Sequence, residues 1–366
     1  MARCRIGVDV GGTFTDVTVL NCENGDLRIV KILTDVDEPW RSIIACIELG
    51  RIELGSVEHI VHATTLGSNL LLGQVGLVKP RIALITTKGF RDVFEIGRQN
   101  RPSLYNLFFE KPKPLVPRNM RFEVEERISA EGEIIKPLDV EGLRRIARKI
   151  RGLVDVVAIV FLHSYVNPVH ERKARRILVE EGVSAEIILS SEVDPHPGEY
   201  ERTSTTVVNA YLKPLLSNYL EKLLGELGEK GFNSKILVMQ SSGGLTNISR
   251  AVETPVAFIE SGPAAGAIAV AYYSNMYGHE LSMGFDMGGT TAKASMIVEG
   301  DPLITLDYEV GGKVHSGRIV KGSGYPVRYP FIDLAEVSAG GGSIAWIDEG
   351  GTLRVGPMSA GSSPGP

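Results

Sequence analysis

The sequence lacks several features that would each indicate a particular class of protein. Its three cysteines, Cys4, Cys22 and Cys46, are odd in number and lack CxxC spacing, which argues against a disulfide framework and against a zinc or iron–sulfur site. No run of 18 apolar residues occurs, and the opening segment MARCRIGVDVGG places a strand and a glycine turn where a signal peptide needs its apolar core. No basic cluster stands out among 39 basic and 44 acidic residues. These absences predict a cytoplasmic protein that binds neither a membrane nor nucleic acid.

Two common nucleotide-binding motifs are also missing. The chain contains no GxxxxGK[ST] and no GxGxxG after a predicted strand, so neither a Walker loop nor a Rossmann fingerprint is present. Strand patterns alternate with helical patterns along most of the chain, which predicts an α/β fold. A chain of 366 residues is too long for one core and predicts two lobes. The turn DPHPG places their boundary between residues 195 and 196, giving domains 1–195 and 196–366.

One sequence element occurs twice, as GVDVGGTFTDVTVL at 7–20 and as GFDMGGTTAKASMI at 284–297. Each copy predicts a β-hairpin whose glycine turn presents backbone N–H groups to an anion, phosphate above all. An aspartate at the end of the first strand repels phosphate, so its expected role is to hold Mg²⁺ beside the phosphate oxygens. Asp9 and Asp286 are therefore the predicted metal ligands and catalytic carboxylates. The predicted phosphate-binding residues are Gly11, Gly12, Thr13, Thr15, Gly288, Gly289, Thr290 and Thr291.

The duplication decides between two interpretations of this element. A single hairpin of this kind is explained equally well as a tight turn that uses glycine for conformational reasons alone. Two copies favour two homologous lobes that hold one nucleotide between them. A helix rich in glycine and alanine, predicted at 260–278, suits a hinge between lobes, although tight packing for stability would also explain it. Gly340, Gly341 and Gly342 are predicted to lie under the base or ribose of the nucleotide.

The order of these parts resembles the superfamily of actin, the sugar kinases and the seventy-kilodalton heat-shock chaperones. A closer resemblance, to the hydantoinase A and 5-oxoprolinase family, extends through nearly all of the chain. It is carried by GVDVGGTFTD, HATTLGSNLLL, ITTKGFRDVFEIGRQNRPSLYNL, EYERTSTTVVNAYLKP, VMQSSGG, ESGPAAGA, FDMGGTTAK and AGGGSIAW. The resemblance implies a two-lobed actin-like (ribonuclease H-like) ATPase fold with ATP and Mg²⁺ as cofactors.

The same resemblance implies ATP-dependent opening of a small cyclic amide such as 5-oxoproline or a hydantoin. Phosphorylation of the ring carbonyl oxygen would turn a poor electrophile into one that water can attack. A partner subunit similar to hydantoinase B is expected. Three alternatives remain: a subunit similar to those of acetone carboxylase, a nucleotide-gated switch without its own chemistry, and a phosphotransferase acting on a free hydroxyl group.

Two family strings supply candidates for the substrate or transfer site. His62 follows a buried strand together with Thr64, Thr65 and Asn69, where polar residues also serve simply to cap the following helix. Arg98 lies in a long loop rich in proline and asparagine, with Asn100 and Arg101 nearby, and is expected to clamp a carboxylate or phosphate. A solvated loop face is the alternative explanation for these residues.

The end of the sequence carries a further expectation. Family members continue beyond the string VGPMSAGSSPGP, so the second lobe is expected to be incomplete at its C-terminus. The isolated chain is then expected to have weak or no ATPase activity and to associate with further copies of itself or with a separately encoded continuation.

Overall fold

The structure, a computed structural model, describes residues 3–71, 79–289, 291–315, 318–337, 339–361 and 365. Helices and strands alternate through the first half, as the sequence predicts. The strands there are β1 Cys4–Val10, β2 Phe14–Asn21, β3 Leu27–Leu33, β4 Val57–Thr64, β5 Ile82–Thr87, β6 Arg121–Val124, β7 Arg127–Ile128, β8 Ile134–Lys136, β9 Val156–Val160 and β10 Glu186–Leu189. The helices are α1 Pro39–Leu49, α2 Leu66–Leu71, α3 Val93–Ile96, α4 Val140–Ile150, α5 Val169–Glu180 and α6 Ser190–Val193.

Long helices and short strands make up the second half. The helices are α7 Glu199–Glu229, α8 Ile248–Glu253 and α9 Ser261–Tyr277. The strands are β11 Lys235–Met239, β12 Leu245–Asn247, β13 Leu281–Met287, β14 Ala292–Val298, β15 Asp301–Pro302, β16 Ile304–Thr305, β17 Tyr308–Val310, β18 Val314–His315, β19 Arg318–Ile319, β20 Tyr325–Val327, β21 Phe331–Ile332, β22 Leu334–Val337, β23 Ser343–Ile347 and β24 Leu353–Ser359. No described helix is both long enough and apolar enough to cross a membrane.

The sheet that carries the first glycine hairpin has six strands in the order β12-β11-β4-β1-β2-β3. β1, β2 and β3 form an antiparallel meander, whereas β4 runs parallel to β1 and β11 runs parallel to β4. Alternate residues of β1, namely Ile6, Val8 and Val10, are buried in the main core, as the period of a strand requires. β11 and β12 follow residue 196, so this sheet draws strands from both sides of the predicted domain boundary.

A second sheet, β10-β9-β5-β6, is parallel throughout. β9 is buried over its whole length, the pattern of a strand covered on both faces. Strand β10 ends at Leu189, where the chain enters helix α6. At this point the buried Glu171 carboxylate accepts hydrogen bonds from the Ser190 hydroxyl at 2.6 Å and from the Ser191 backbone N–H at 3.0 Å.

The second glycine hairpin lies in a small third sheet. β13 pairs with β14, which also pairs with β15 and β22, all antiparallel. Helix α9 packs on one face of this sheet through small side chains, since Ala264, Ala267 and Ala271 form a cluster with Ile297 and Ile332. The remaining short strands form five two-stranded ribbons: β7–β8, β16–β21, β17–β20, β18–β19 and β23–β24.

Candidate active site

The two glycine hairpins have the same local geometry. In the first, the Gly11 N–H donates to the Phe14 carbonyl at 2.9 Å, and in the second the Gly288 N–H donates to the Thr291 carbonyl at 3.0 Å. Each aspartate lies in the strand that enters its turn. The duplicated sequence therefore folds into two matching turns with an aspartate at the same place in each.

The tips of the two hairpins meet. A methyl group added at Gly289 would lie 2.8 Å from the Thr13 hydroxyl oxygen, so the second turn approaches the first too closely for any side chain. The Gly341 N–H donates to the Gly288 carbonyl at 2.9 Å, which brings the predicted adenosine loop against the second turn. Thr290 lies outside the described residues.

Thr15 does not point toward the turn. It is fully buried, and its hydroxyl lies 3.0 Å from that of Thr34. Thr34 in turn donates to the Gly11 carbonyl at 3.0 Å and thereby supports the turn from below. Thr15 thus contributes to the first glycine hairpin through the Thr34 hydroxyl.

Asp9 and Asp286 lie close enough to influence each other. Both are accessible to solvent. Desolvation by the surrounding protein, followed by the negative charge of Asp286, nevertheless raises the pKa of Asp9 to about 6. A carboxylate with a raised pKa beside a second carboxylate is an arrangement that a bound cation would stabilise.

The donor set fits a weakly coordinated Mg²⁺ ion. No group of three or more His, Cys, Asp or Glu side chains in the described part of the chain is arranged to hold a metal. Mg²⁺ usually keeps several waters and takes only one or two carboxylates, with phosphate oxygens completing the set. Asp9 and Asp286 meet that requirement, whereas a fully protein-ligated zinc or calcium site would need more ligands.

A buried charge cluster beside Asp286 is not among the predicted site residues. Lys293, on the central strand β14, lies opposite Asp286 on β13 and opposite Glu336 on β22. Its ammonium group donates to Glu260 Oε2 at 2.5 Å, and the Tyr308 hydroxyl donates to Glu260 Oε1 at 3.2 Å. Burial lowers the pKa of Lys293, but the carboxylates around it outweigh that effect and the pKa stands above its ordinary value.

A signal for this lysine is present in the sequence. In the first hairpin Asp9 pairs with Asp16, and in the second Asp286 pairs with Lys293, at the same spacing along the chain. The equal spacing in the two copies therefore places Lys293 opposite Asp286. Glu260 and Tyr308 approach through tertiary packing, which the register does not reveal.

His62 lies in the interior. Its imidazole Nε2 is 2.9 Å from the Tyr219 hydroxyl of α7, and Nδ1 has no hydrogen-bond partner among the residues that the structure describes. Burial lowers the pKa of His62 to about 4, so the ring is neutral at physiological pH. With 1% of its surface exposed, His62 supports the strand beneath the cleft and does not line it.

Thr64 connects the first sheet to helix α9. Its hydroxyl donates to the Val10 carbonyl at 3.1 Å, and its backbone N–H and C=O both bond the Ser261 hydroxyl at 2.8 Å. These bonds place the start of α9 beside Asp9, where a methyl group added at Gly262 would lie 3.1 Å from the Asp9 carboxylate.

Arg98 lines a cavity whose wall includes neither Asp9 nor Asp286. Its guanidinium donates through Nε to Glu201 at 2.7 Å and through Nη2 to Asp307 at 3.4 Å. Arg98, predicted to bind a carboxylate or phosphate of the substrate, is therefore already paired with two carboxylates of the protein itself.

Comparisons with known proteins agree with this architecture. Residues 5–182 match the model of the hydantoinase/oxoprolinase N-terminal region, and residues 202–366 match the hydantoinase/oxoprolinase model. An uncharacterized protein of Methanocaldococcus jannaschii is 60% identical over 99% of this chain and 53% of its own length. The acetophenone carboxylase gamma subunit of Aromatoleum aromaticum is 34% identical over 99% of this chain and 50% of its own length.

A solved structure shares the fold. The ATP-dependent caprolactamase from Pseudomonas jessenii superposes with a TM-score of 0.80 at 31% identity, over 99% of this chain and 52% of that one. This likeness confirms the predicted α/β, actin-like ATPase fold. The chain spans about half the length of these relatives.

Proposed function

Because the chain belongs to the hydantoinase/oxoprolinase family, we propose that it is the ATP-binding part of an ATP-dependent lactam hydrolase. The observation that carries the proposal is the pair of matching hairpins, whose tips meet and whose aspartates, Asp9 and Asp286, lie close enough for the charge of one to raise the pKa of the other. A pair of phosphate-binding turns with a metal between them serves to position a nucleotide for transfer of its terminal phosphoryl group.

Three steps would convert the lactam into the ring-opened amino acid. The ring carbonyl oxygen attacks the γ-phosphorus of ATP, the bond to the bridging oxygen breaks, and ADP leaves. Water then adds to the activated ring carbon, and the C–N bond breaks as the nitrogen takes a proton. A second water releases phosphate from the resulting acyl phosphate, leaving an amine and a carboxylate.

The residues of this chain contribute mainly positioning and charge. The backbone N–H groups of the two turns would donate to phosphate oxygens, with Thr13 and Thr291 adding hydroxyl donors. Mg²⁺ held by Asp9 and Asp286 would neutralise charge on those oxygens when bound. Lys293, kept in place by Glu260, adds a positive charge beside Asp286.

A second candidate function is a carboxylase subunit. The 34% identity to an acetophenone carboxylase gamma subunit favours it. The first step would be similar, because phosphorylation of an enolate oxygen also consumes the γ-phosphoryl group of ATP. The two functions differ in the acceptor, a cyclic amide or a ketone.

The proposed enzyme also requires a partner subunit. The caprolactamase and carboxylase relatives are about twice as long as this chain, and the second of them is itself named as a subunit. We therefore expect turnover to require a further subunit, similar to hydantoinase B.

Turnover of the chain together with its partner tests the proposal. Phosphate release should be stimulated by 5-oxoproline, hydantoins or caprolactam, with ring-opened product forming in equal amount. Asp286→Asn should abolish this turnover, whereas Asp16→Asn, in the first hairpin, should retain most of it because its carboxylate pairs with Lys31 at 2.6 Å. Stimulation by acetone or acetophenone with bicarbonate, and by no cyclic amide, would establish the carboxylase instead. A phosphorylated product without ring opening would establish a phosphotransferase.

A further inference from the structure

A cavity separate from the phosphate hairpins lies beneath a long basic loop. The loop comprises residues 97–114 and contains neither helix nor strand. It encloses a volume of about 350 Å³ together with the first turn of α7 and the segment 309–325. This volume falls within the range of sites that bind small organic molecules.

The cavity and the phosphate site lie on opposite sides of strand β17. Tyr308 points toward Glu260 and Lys293, beside Asp286. Its neighbour Glu309 points the other way and forms part of the cavity wall, as the alternation of side chains along a strand requires. The cavity is thus distinct from the nucleotide cleft but shares one structural element with it.

The backbone of the basic loop adopts uncommon conformations at this wall. Gly97 has φ of 60°, and Gln99, which is not a glycine, has φ of 56°. A methyl group at Gly97 would lie 3.2 Å from the Tyr200 ring, so the loop and the helix make a close contact that only glycine permits. Uncommon backbone conformations held by surrounding structure are concentrated at ligand sites.

The cavity is lined by charges of both signs, the basic Arg98, Lys111 and Lys113 and the acidic Glu95, Glu110 and Glu309. The loop carries four basic residues and one acidic residue in a chain whose net charge is −5. Arg98 is matched by Glu201 and Asp307, but the Lys111 ammonium bonds only a neutral carbonyl, that of Ile96 at 2.8 Å. Lys113 also lines the cavity, and its ammonium makes no hydrogen bond or ion pair within the described residues.

A neutral donor lies in the same wall. Tyr200 lines the cavity, and its hydroxyl makes no hydrogen bond with any residue that the structure describes. Burial raises the pKa of Tyr200 to about 12, which keeps the hydroxyl protonated and able to donate. Apolar surface from Pro112, Pro114 and Tyr325 completes the lining.

We propose that this cavity binds a small organic carboxylate, whose oxygens contact Lys113 and the Tyr200 hydroxyl while its apolar part packs on Pro112, Pro114 and Tyr325. Two donors that lack protein partners, one of them a cation, match a carboxylate in charge and number of acceptors. The identity of the occupant rests on the proposed function: lactam opening creates a carboxylate, so the ring-opened amino acid is the natural ligand.

Calorimetric titration of the full chain with L-glutamate and 6-aminohexanoate tests this inference, with caprolactam as the neutral comparison. We expect the two carboxylates to bind and Lys113→Ala to weaken them about tenfold, the effect of losing a charged hydrogen bond. Tyr200→Phe should weaken them several-fold. Lys79→Ala is the matched control, because Lys79 is exposed and does not line the cavity. Equal affinity in Lys113→Ala and Lys79→Ala, or the absence of carboxylate binding, would overturn the site.

Nucleotide binding by the same variants separates this inference from the proposed function. Lys113→Ala and Tyr200→Phe should bind Mg–ATP as the unmodified chain does. Failure of the carboxylate titration with normal Mg–ATP binding would overturn the cavity assignment alone. Carboxylate binding that depends on Lys113 in a chain that binds no Mg–ATP would instead support the cavity and contradict the proposed function.

Discussion

Asp9 and Asp286 occupy the same position in two copies of one hairpin, yet their surroundings differ. Asp9 faces Asp16 across its hairpin, whereas Asp286 faces Lys293. Asp9 therefore faces a carboxylate that is paired with Lys31 of β3, whereas Asp286 faces a buried cation. A metal ion would relieve the repulsion around Asp9, and Lys293 would attract phosphate oxygens beside Asp286.

His62 provides a prediction about stability and pH. Its pKa falls from 6.5 to about 4 on folding, because burial disfavours the charged ring. Between these pH values the unfolded chain binds a proton that the folded chain does not, so stability decreases as the pH falls from about 6.5 to about 4. The contribution lost over that range is on the order of 3 kcal/mol.

Replacement by glutamine isolates this contribution. His62→Gln cannot titrate but can still hydrogen-bond the Tyr219 hydroxyl. Asp9 acts in the opposite sense, because its pKa is raised to about 6 in the folded chain. The stability that Asp9 contributes is complete below its unfolded pKa and is lost as the pH rises through about 6. We therefore expect urea unfolding to show a smaller loss of stability at low pH in His62→Gln than in the unmodified chain. The same pH dependence in both proteins would show that His62 titrates normally.

Among the elements, the hairpins and the linking helix follow most directly from sequence. Alternating apolar residues around a double-glycine turn predict both strands and their register, and the structure confirms both hairpins. Helix α9 was predicted over 260–278 and extends over Ser261–Tyr277. The short strands of 300–337 carry no such pattern, since most have two or three residues and are too short to show a period.

Two glycines of α9 provide a prediction about Mg–ATP binding and stability. A methyl group at Gly262 would lie 3.1 Å from an Asp9 carboxylate oxygen and 3.3 Å from Thr65, whereas one at Gly266 would meet nothing within 4 Å. Gly262→Ala should therefore displace Asp9 and weaken Mg–ATP binding about tenfold. Gly266→Ala should leave binding unchanged and add up to about 1 kcal/mol of stability through helix propensity.

Calorimetry on both variants checks this expectation, and equal binding by the two would contradict the role assigned to the start of α9. The sequence indicated small residues for close packing here but not which glycine faces the carboxylate. That distinction depends on the bonds between Thr64 and Ser261, which join segments distant in the chain.

For the whole molecule, the main feature is an uncovered apolar face on the third sheet. Leu281, Met283, Phe285 and Met287 alternate along β13 on the side away from α9, and each is more than half exposed. Met296 lies directly across from Met283 and extends the patch onto β14. Contiguous apolar surface of this kind usually marks an interface.

This face predicts association. The chain should associate with further copies of itself or with a partner subunit, and should show weak or no ATPase activity alone. Size-exclusion chromatography with light scattering, together with an ATPase assay on 5-oxoproline and hydantoins, measures both. Met283→Lys should reduce association, whereas Leu49→Lys, at an exposed leucine of α1, should not. A stable monomer with robust lactam-dependent turnover would contradict the expectation.

The central claim is that Asp9 and Asp286 together hold Mg–ATP, and calorimetric titration of ATP with and without Mg²⁺ tests it most directly. The account predicts Mg²⁺-dependent binding that Asp9→Ala and Asp286→Ala each abolish while the fold, followed by circular dichroism, is preserved. Asp16→Ala, in the same hairpin as Asp9 but paired with Lys31, should change the affinity only slightly. Unchanged Mg–ATP affinity in both the Asp9 and Asp286 variants would contradict the account.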